Sequence, residues 1–308
     1  MPHKDKHGEL LFVWGLPQEG PLSSCRKWKQ RLRAIFFAGP VTSIATAMLL
    51  LIVAMAVFAP LIAPHDPIRL SPATRLKPPS ADFLLGTDAY GRDLLSRVIY
   101  GARISLIVGV GAAVFATFIG LVIGLAAGFF RRFDAILMRI VDGLMAIPSI
   151  LLAIAIVALS GASLWTVLVA ITIPEVPRVV RLVRSVVLSA REEPYVEAAI
   201  SLGSSTPRIL VRHLLPNTVP PLIVQGTYIC ASAILVEAIL SFLGAGINPE
   251  TPTWGNIMAE GRVYFPINPG IILWPGLVLS VAILSINLLG DAVRDALDPR
   301  MAKRGIDR

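Results

Sequence analysis

The chain has 308 residues, 55% of them hydrophobic and only 16% charged, with a formal net charge of +8. Its mean hydropathy of +0.72 excludes an ordinary soluble domain, because the apolar residues gather in charge-free stretches such as 44–62 and 104–130, each long enough to span a bilayer. The excess cations flank those stretches and build no coherent basic face, so nucleic-acid binding is excluded and orientation in a lipid bilayer is left as their role.

Residues 1–37 form a basic leader without the pattern of a cleavable signal peptide, so the first span is expected to be retained. Spans are predicted at 41–63, 104–130, 136–160, 164–187, 218–247 and 271–291. The predicted fold is therefore an all-α, polytopic membrane protein with about six spans, its body over 38–299 and a short tail at 300–308. With the N-terminus inside, 21 of the Lys and Arg residues fall on the cytoplasmic side and 7 outside, which makes both termini cytoplasmic. Cys25 and Cys230 are too few and too differently placed for a disulfide framework or a zinc site.

Between the first two spans, segment 64–103 is interrupted by Pro64, Pro67, Pro72, Pro78 and Pro79 and reads as an ordered loop capping the outer face. Asp88, Arg92, Asp93 and Arg97 bunch at its end. Asp93 and Arg97, four apart, fit a pair on a helix surface; the alternative is a rim that docks an external protein. In the second span, Gly109, Gly111, Gly120, Gly124 and Gly128 permit close helix packing or, alternatively, a hinge. The third and fourth spans are weaker, since Arg139 and Asp142 interrupt one and Glu175, Arg178, Arg181 and Arg184 the other. Pro174 and Pro177 are expected to break the helix around Glu175 and open a watery kink there.

The cytoplasmic segment 188–217 carries most information. Pro194 suits a first helical turn and Gly203 the left-handed position after a last one, which predicts a nine-residue helix over 194–202. A second helix is expected with Thr206 as N-cap and Pro207 at its first position, ending before Pro216. Nine residues are too few to hold a helix alone in water, so a partner surface must support it. Tyr195, Ala198, Ala199 and Leu202 share one face at helical spacing, bulky at the ends and small in the middle. That face either plugs a groove on another chain or packs beneath its own bundle.

Glu197-Ala198-Ala199, followed by Gly203 and by Leu215-Pro216, resembles the EAA loop of ABC-importer membrane subunits. One departure is His213, where that pattern prefers isoleucine, although the run Arg-His-Leu-Leu-Pro-Asn at 212–217 is similar to the dipeptide and oligopeptide branch. The runs Leu-Gly-Thr-Asp-Ala-Tyr-Gly-Arg-Asp at 85–93, Ser96-Arg97, Leu-Ser-Phe-Leu-Gly at 240–244 and Asn-Leu-Leu-Gly-Asp-Ala-Val-Arg-Asp-Ala-Leu-Asp-Pro at 287–299 are similar to the second permease of peptide and nickel importers. The resemblance covers roughly 38–299 and leaves the leader outside.

It implies a type I importer permease in the bacterial inner membrane, forming a heterodimer with a second permease and assembling with two ATPase subunits and an extracytoplasmic solute-binding protein. Residues Tyr195, Glu197, Ala198, Ala199, Leu202 and Gly203 would then form the coupling helix, seated on an ATPase. Asp88, Arg92, Asp93 and Arg97 would dock the binding protein. The implied substrates are di- or oligopeptides, with nickel chelates, glutathione and opines as alternatives.

The chain itself contains no Gly-Lys pair and so no phosphate-cradling ATP loop. ATP and Mg are expected on the partner ATPases, with no cofactor here and no enzymatic activity. Glu237 is the one carboxylate deep in a strongly apolar run, and it either lines a translocation path or makes a structural hydrogen bond to a neighbouring helix. A rival class, an ion-coupled secondary transporter with Glu237 and Glu175 as proton or sodium sites, would be built from inverted repeats, and the sequence displays none.

Overall fold

The computed structural model describes residues 39–297, so the leader 1–37 and the tail 300–308 lie outside the described residues. These residues are almost entirely helical, without a strand. Helix α1 (Pro40–Val57) opens on a proline at its first turn and is followed by the single turn α2 (Ala59–Ile62). After the outer loop come α3 (Leu94–Phe129), α4 (Arg131–Met145), α5 (Ser149–Ser160) and α6 (Leu164–Arg191). The short α7 (Pro194–Ser201) and α8 (Thr206–Ile209) lead through a π-helical turn at Leu210–Leu214 into α9 (Leu215–Phe242). Helix α10 (Trp254–Gly261) and the 28-residue α11 (Gly270–Leu297) complete the bundle.

Four helices are long and apolar enough to cross a membrane: α1, α3, the 37-residue run from Thr206 to Phe242, and α11. The predicted span 136–160 is instead two helices, α4 and α5, bent by 87°. The break falls at Pro148, which has no N–H to continue the ladder and drives the preceding residue out of helical geometry. If that pair is one span, the number is five. The remaining predicted span corresponds to α6, which has 28 residues but carries Arg178, Arg181, Arg184 and Arg191 in its second half. Contrary to expectation, α6 runs unbroken through Pro174 and Pro177.

Helix α3 starts ten residues earlier than 104 and takes Arg97 and Arg103 into its first turns. Its axis is the centre of the fold. Gly120, Gly124 and Gly128 face Val179, Val183 and Val187 of α6, two four-residue repeats meshing along parallel helices. A Cβ at Gly124 or Gly128 would stand 2.6 Å from the facing valine Cβ, so only glycine admits this approach. Gly109 gives the same access to Ile234 of α9, and Gly111 to Leu168 of α6. Trp254, Leu94, Ile234 and Ile271 fill the core beneath the outer loop, while Val183, Val187, Val196 and Leu214 fill it at the opposite end. Large apolar side chains on α1, α3 and α11, among them Leu50, Phe118 and Leu277, are exposed, as a bilayer solvent permits.

Candidate functional site

Helix α7 is capped as its sequence demands. Pro194 stands in its first turn, and at its end Gly203 adopts φ +74°, outside the reach of most side chains. The Gly203 N–H donates to the Ile200 carbonyl at 2.9 Å and the Ser204 N–H to the Ala199 carbonyl at 3.0 Å, the paired bonds of a Schellman ending. The helix has eight residues rather than nine, with Leu202 as its C-cap.

Val196 and Ala199 share a face at i, i+3 spacing and are both buried, Val196 in one cluster with Val187 and Ala190 of α6 and Ile209 of α8. Ala199 therefore belongs to the anchoring face, not to the presented one. Tyr195, Glu197 and Ala198 are exposed, as are Leu202 at 86% and Ile200 at 48%. The segment is thus both a packed helix and a presenting one, because its two faces have different partners.

A polar joint connects α7 to the start of α9. The Asn217 amide nitrogen donates to the Tyr195 hydroxyl at 2.8 Å and to the His213 carbonyl at 2.7 Å. The second helix of this segment does not end before Pro216. The π-helical turn at 210–214 absorbs the extra residue, Pro216 sits in the first turn of α9 where no N–H is needed, and the helix continues through Pro220 and Pro221. The exposure of Ile200 and the bond from Asn217 to Tyr195 had no signal in the sequence beyond their positions within the 194–202 helix and the 212–217 run.

Glu237 has 0% exposure and lies inside the chain's own core. Its carboxylate accepts from Ser105 Oγ of α3 at 3.2 Å and from Ser241 Oγ at 2.9 Å. In this conformation it offers no surface to a passing solute and bonds neighbouring helices together. Glu175, also buried, accepts from Arg178 Nη1 at 2.7 Å, while its second oxygen has no partner among the described residues. No watery kink surrounds it, since α6 is continuous there.

At the opposite end of the bundle, Asp88, Arg92, Asp93 and Arg97 are all buried. Arg97 donates to Asp88 at 2.7 Å and to Glu260 of α10 at 2.6 Å, and Arg92 donates to the same two carboxylates. Asp93 instead caps α3, accepting from the Ser96 N–H at 2.9 Å, so the surface pair expected between Asp93 and Arg97 does not form. Glu260, 163 residues from Arg97, completes the cluster and had no local signal. Trp254 adds a hydrogen bond from its indole to the Val98 carbonyl at 3.1 Å, and the loop, α3 and α10 are thereby clasped together.

Residues 120–303 match the family described as the binding-protein-dependent transport system inner membrane component, and residues 28–79 match the N-terminal transmembrane domain of oligopeptide transport permease C. A probable peptide ABC transporter permease of Sinorhizobium fredii is 54% identical over 81% of this chain and 86% of its own length. A dipeptide transport system permease of Alkalihalophilus pseudofirmus is 40% identical over 92% of this chain and 94% of its own, and a glutathione transport system permease of Escherichia coli 42% identical over 83% and 86%. Among solved structures, a chain of the inward-facing MetNI methionine ABC transporter superposes with a TM-score of 0.54 at 23% identity, covering 67% of this chain and 98% of that one, which establishes the shared fold. The chain belongs to the family of binding-protein-dependent transport system inner membrane components: it is a membrane-embedded ABC permease subunit, not an enzyme.

Proposed function

We propose that this chain forms half of the membrane pore of an ATP-driven peptide importer, and that α7 is the contact through which a separate ATPase subunit moves it. The carrying observation is the divided helix. Val196 and Ala199 hold α7 against the bundle while Tyr195, Ile200 and Leu202 stand out from it. Apolar side chains presented together on a short helix gain from being covered by another protein, and the missing phosphate loop means that the fuel binds elsewhere. The peptide reading rests on relatives named for peptide, dipeptide and glutathione transport, glutathione being itself a tripeptide.

In this reading a second permease completes the pore, two ATPases bind ATP and Mg beneath it, and α7 and both termini face the cytoplasm. The extracytoplasmic binding protein docks on the outer loop. Asp88, Arg92, Asp93 and Arg97 shape that docking surface from beneath instead of touching the visitor, since they are buried.

The test is dipeptide uptake and ATP hydrolysis by the complete complex in proteoliposomes. Ala198→Trp, which adds bulk on the exposed side, and Leu202→Asp, which places a charge where an apolar contact is needed, should each abolish uptake while the permease pair still assembles. Full coupled uptake by both variants would refute the coupling role of α7.

A further inference from the structure

Between the α7-bearing ends of α9 and α11 lies a notch of about 420 Å³, within the usual size range of small-molecule sites. Its walls approach closely because Gly290 has no side chain; a Cβ there would collide with the Thr227 hydroxyl. Val224 adds an apolar patch, and the remaining lining is polar. Gln225 comes from α9, and Asn287, Asp291 and Arg294 from successive turns of α11, with Tyr228 at the rim.

Two features separate this notch from the other polar clusters of the molecule. First is its depth: Asn287 lies about 25 Å along α11 from Gly270, and Gln225 about 15 Å along α9 from Leu215, at 1.5 Å per residue. Both helices are long and apolar enough to cross a membrane. Polar side chains on such helices avoid hydrocarbon and turn toward a watery cavity or another protein. Second, the side chains of Gln225, Asn287, Asp291 and Arg294 make no hydrogen bond or ion pair among the described residues. Asp291 and Arg294 stand three apart on one helix, a spacing that allows pairing, yet they remain separate. At the opposite end of the bundle Arg92 and Arg97 are instead tied to Asp88 and Glu260.

We infer that this notch is a station for the transported solute and that it recognises the two charged ends of a short peptide. Asp291 takes the ammonium, Arg294 the carboxylate, and the Asn287 and Gln225 amides face the peptide bond. Side chains three apart on one helix face start about 5–6 Å from each other, close to the ~7 Å reach of an extended two-residue chain. Both charges are exposed at the mouth, so each contributes little affinity. Weak holding suits a transport site, which must release what it receives. The assignment rests on the peptide-importer reading above.

The experiment uses the complete complex in proteoliposomes, with Asn287→Cys placed in a Cys25→Ser, Cys230→Ser background, and alanyl-alanine as the probe. A membrane-impermeant maleimide applied from the α7 side should label the introduced thiol. Millimolar alanyl-alanine should slow that labelling about fivefold, and N-acetyl-alanyl-alanine amide, which lacks both charges, should leave the rate unchanged. A thiol that is never labelled, or is labelled equally fast with every addition, overturns the assignment. The double exchange Asp291→Arg, Arg294→Asp separates recognition from support. Uptake should fall about tenfold with ATP hydrolysis retained, whereas restoration to the wild-type rate would reveal a mere intrahelical pair and overturn the station. A wild-type complex that hydrolyses ATP but takes up no dipeptide overturns the peptide reading itself; dipeptide uptake with an unprotected thiol overturns the notch alone.

Discussion

The two ends of the bundle are built on opposite plans. Beneath the outer loop, Arg92 and Arg97 share Asp88 and Glu260, Asp93 caps α3, and the Trp254 indole reaches the Val98 carbonyl, so buried polar groups of three segments bind one another, with Arg97 Nε left over. At the other end, α7 leaves Ile200 and Leu202 uncovered, the base of α9 carries three prolines after a π-helical turn, and the notch of α9 and α11 holds four polar side chains without partners. The first end ties its own charges together, and the second leaves apolar and polar side chains open, which is where the proposed partners would bind.

The comparison breaks most sharply at Arg97. Arg97→Met would leave Asp88 and Glu260 with Arg92 as their one remaining cation, and removing one partner of a buried ion pair costs about 3–5 kcal/mol. Thermal unfolding of the detergent-solubilised permease pair should register it as a large drop in midpoint, and an unchanged midpoint would show that the outer clasp is not what holds the loop.

A middle-sized effect is expected where α3 meets α6. Gly124→Leu forces a branched side chain against Val183, and overpacking of this kind costs about 1–3 kcal/mol. The same unfolding measurement should show a smaller fall than for Arg97→Met, and adding Val183→Ala should recover part of it. No recovery would mean that the two positions do not mesh.

The smallest effect belongs to the α7 end. Tyr195→Phe removes the hydroxyl that accepts from Asn217 but keeps the ring, at a net cost of about 0.5–1.5 kcal/mol for an ordinary hydrogen bond. The unfolding midpoint should scarcely move, while the ratio of dipeptide taken up to ATP hydrolysed should fall. A ratio equal to that of the wild type would remove the joint from the coupling route.

Local chemistry made much of this legible. The proline and glycine bracketing α7 state its limits within a residue, and the four-residue glycine repeat of α3 announces a close neighbour. What escaped was whatever depends on distant partners. Segment 64–103 read as a loop and α3 was placed ten residues late, because Arg97 is neutralised by Asp88 together with Glu260, and the latter lies in the distant α10. Pro174 and Pro177 signalled a break that α6 does not make, whereas Pro148, inside a predicted span, marks an 87° turn. Ala199 shares helical spacing with Tyr195 and Leu202, yet Val196 fixes which side is down, and that assignment required the surface of α6.

The meshed glycines and valines of α3 and α6 also restrict how the molecule can change shape. Sliding one helix past the other would lift each valine out of its slot until it met the next, about 6 Å along the axis at four residues per rung, with overlapping side chains at every intermediate position. Small displacements are therefore refused, and the two helices travel as one lever. In the coupling role proposed for α7, a push on it would pass through the short turn after Arg191 into the foot of that lever, whose α6 arm alone is about 42 Å long. A modest swing at the foot would become a larger sweep at the far end, so such a device would require only a short stroke at α7.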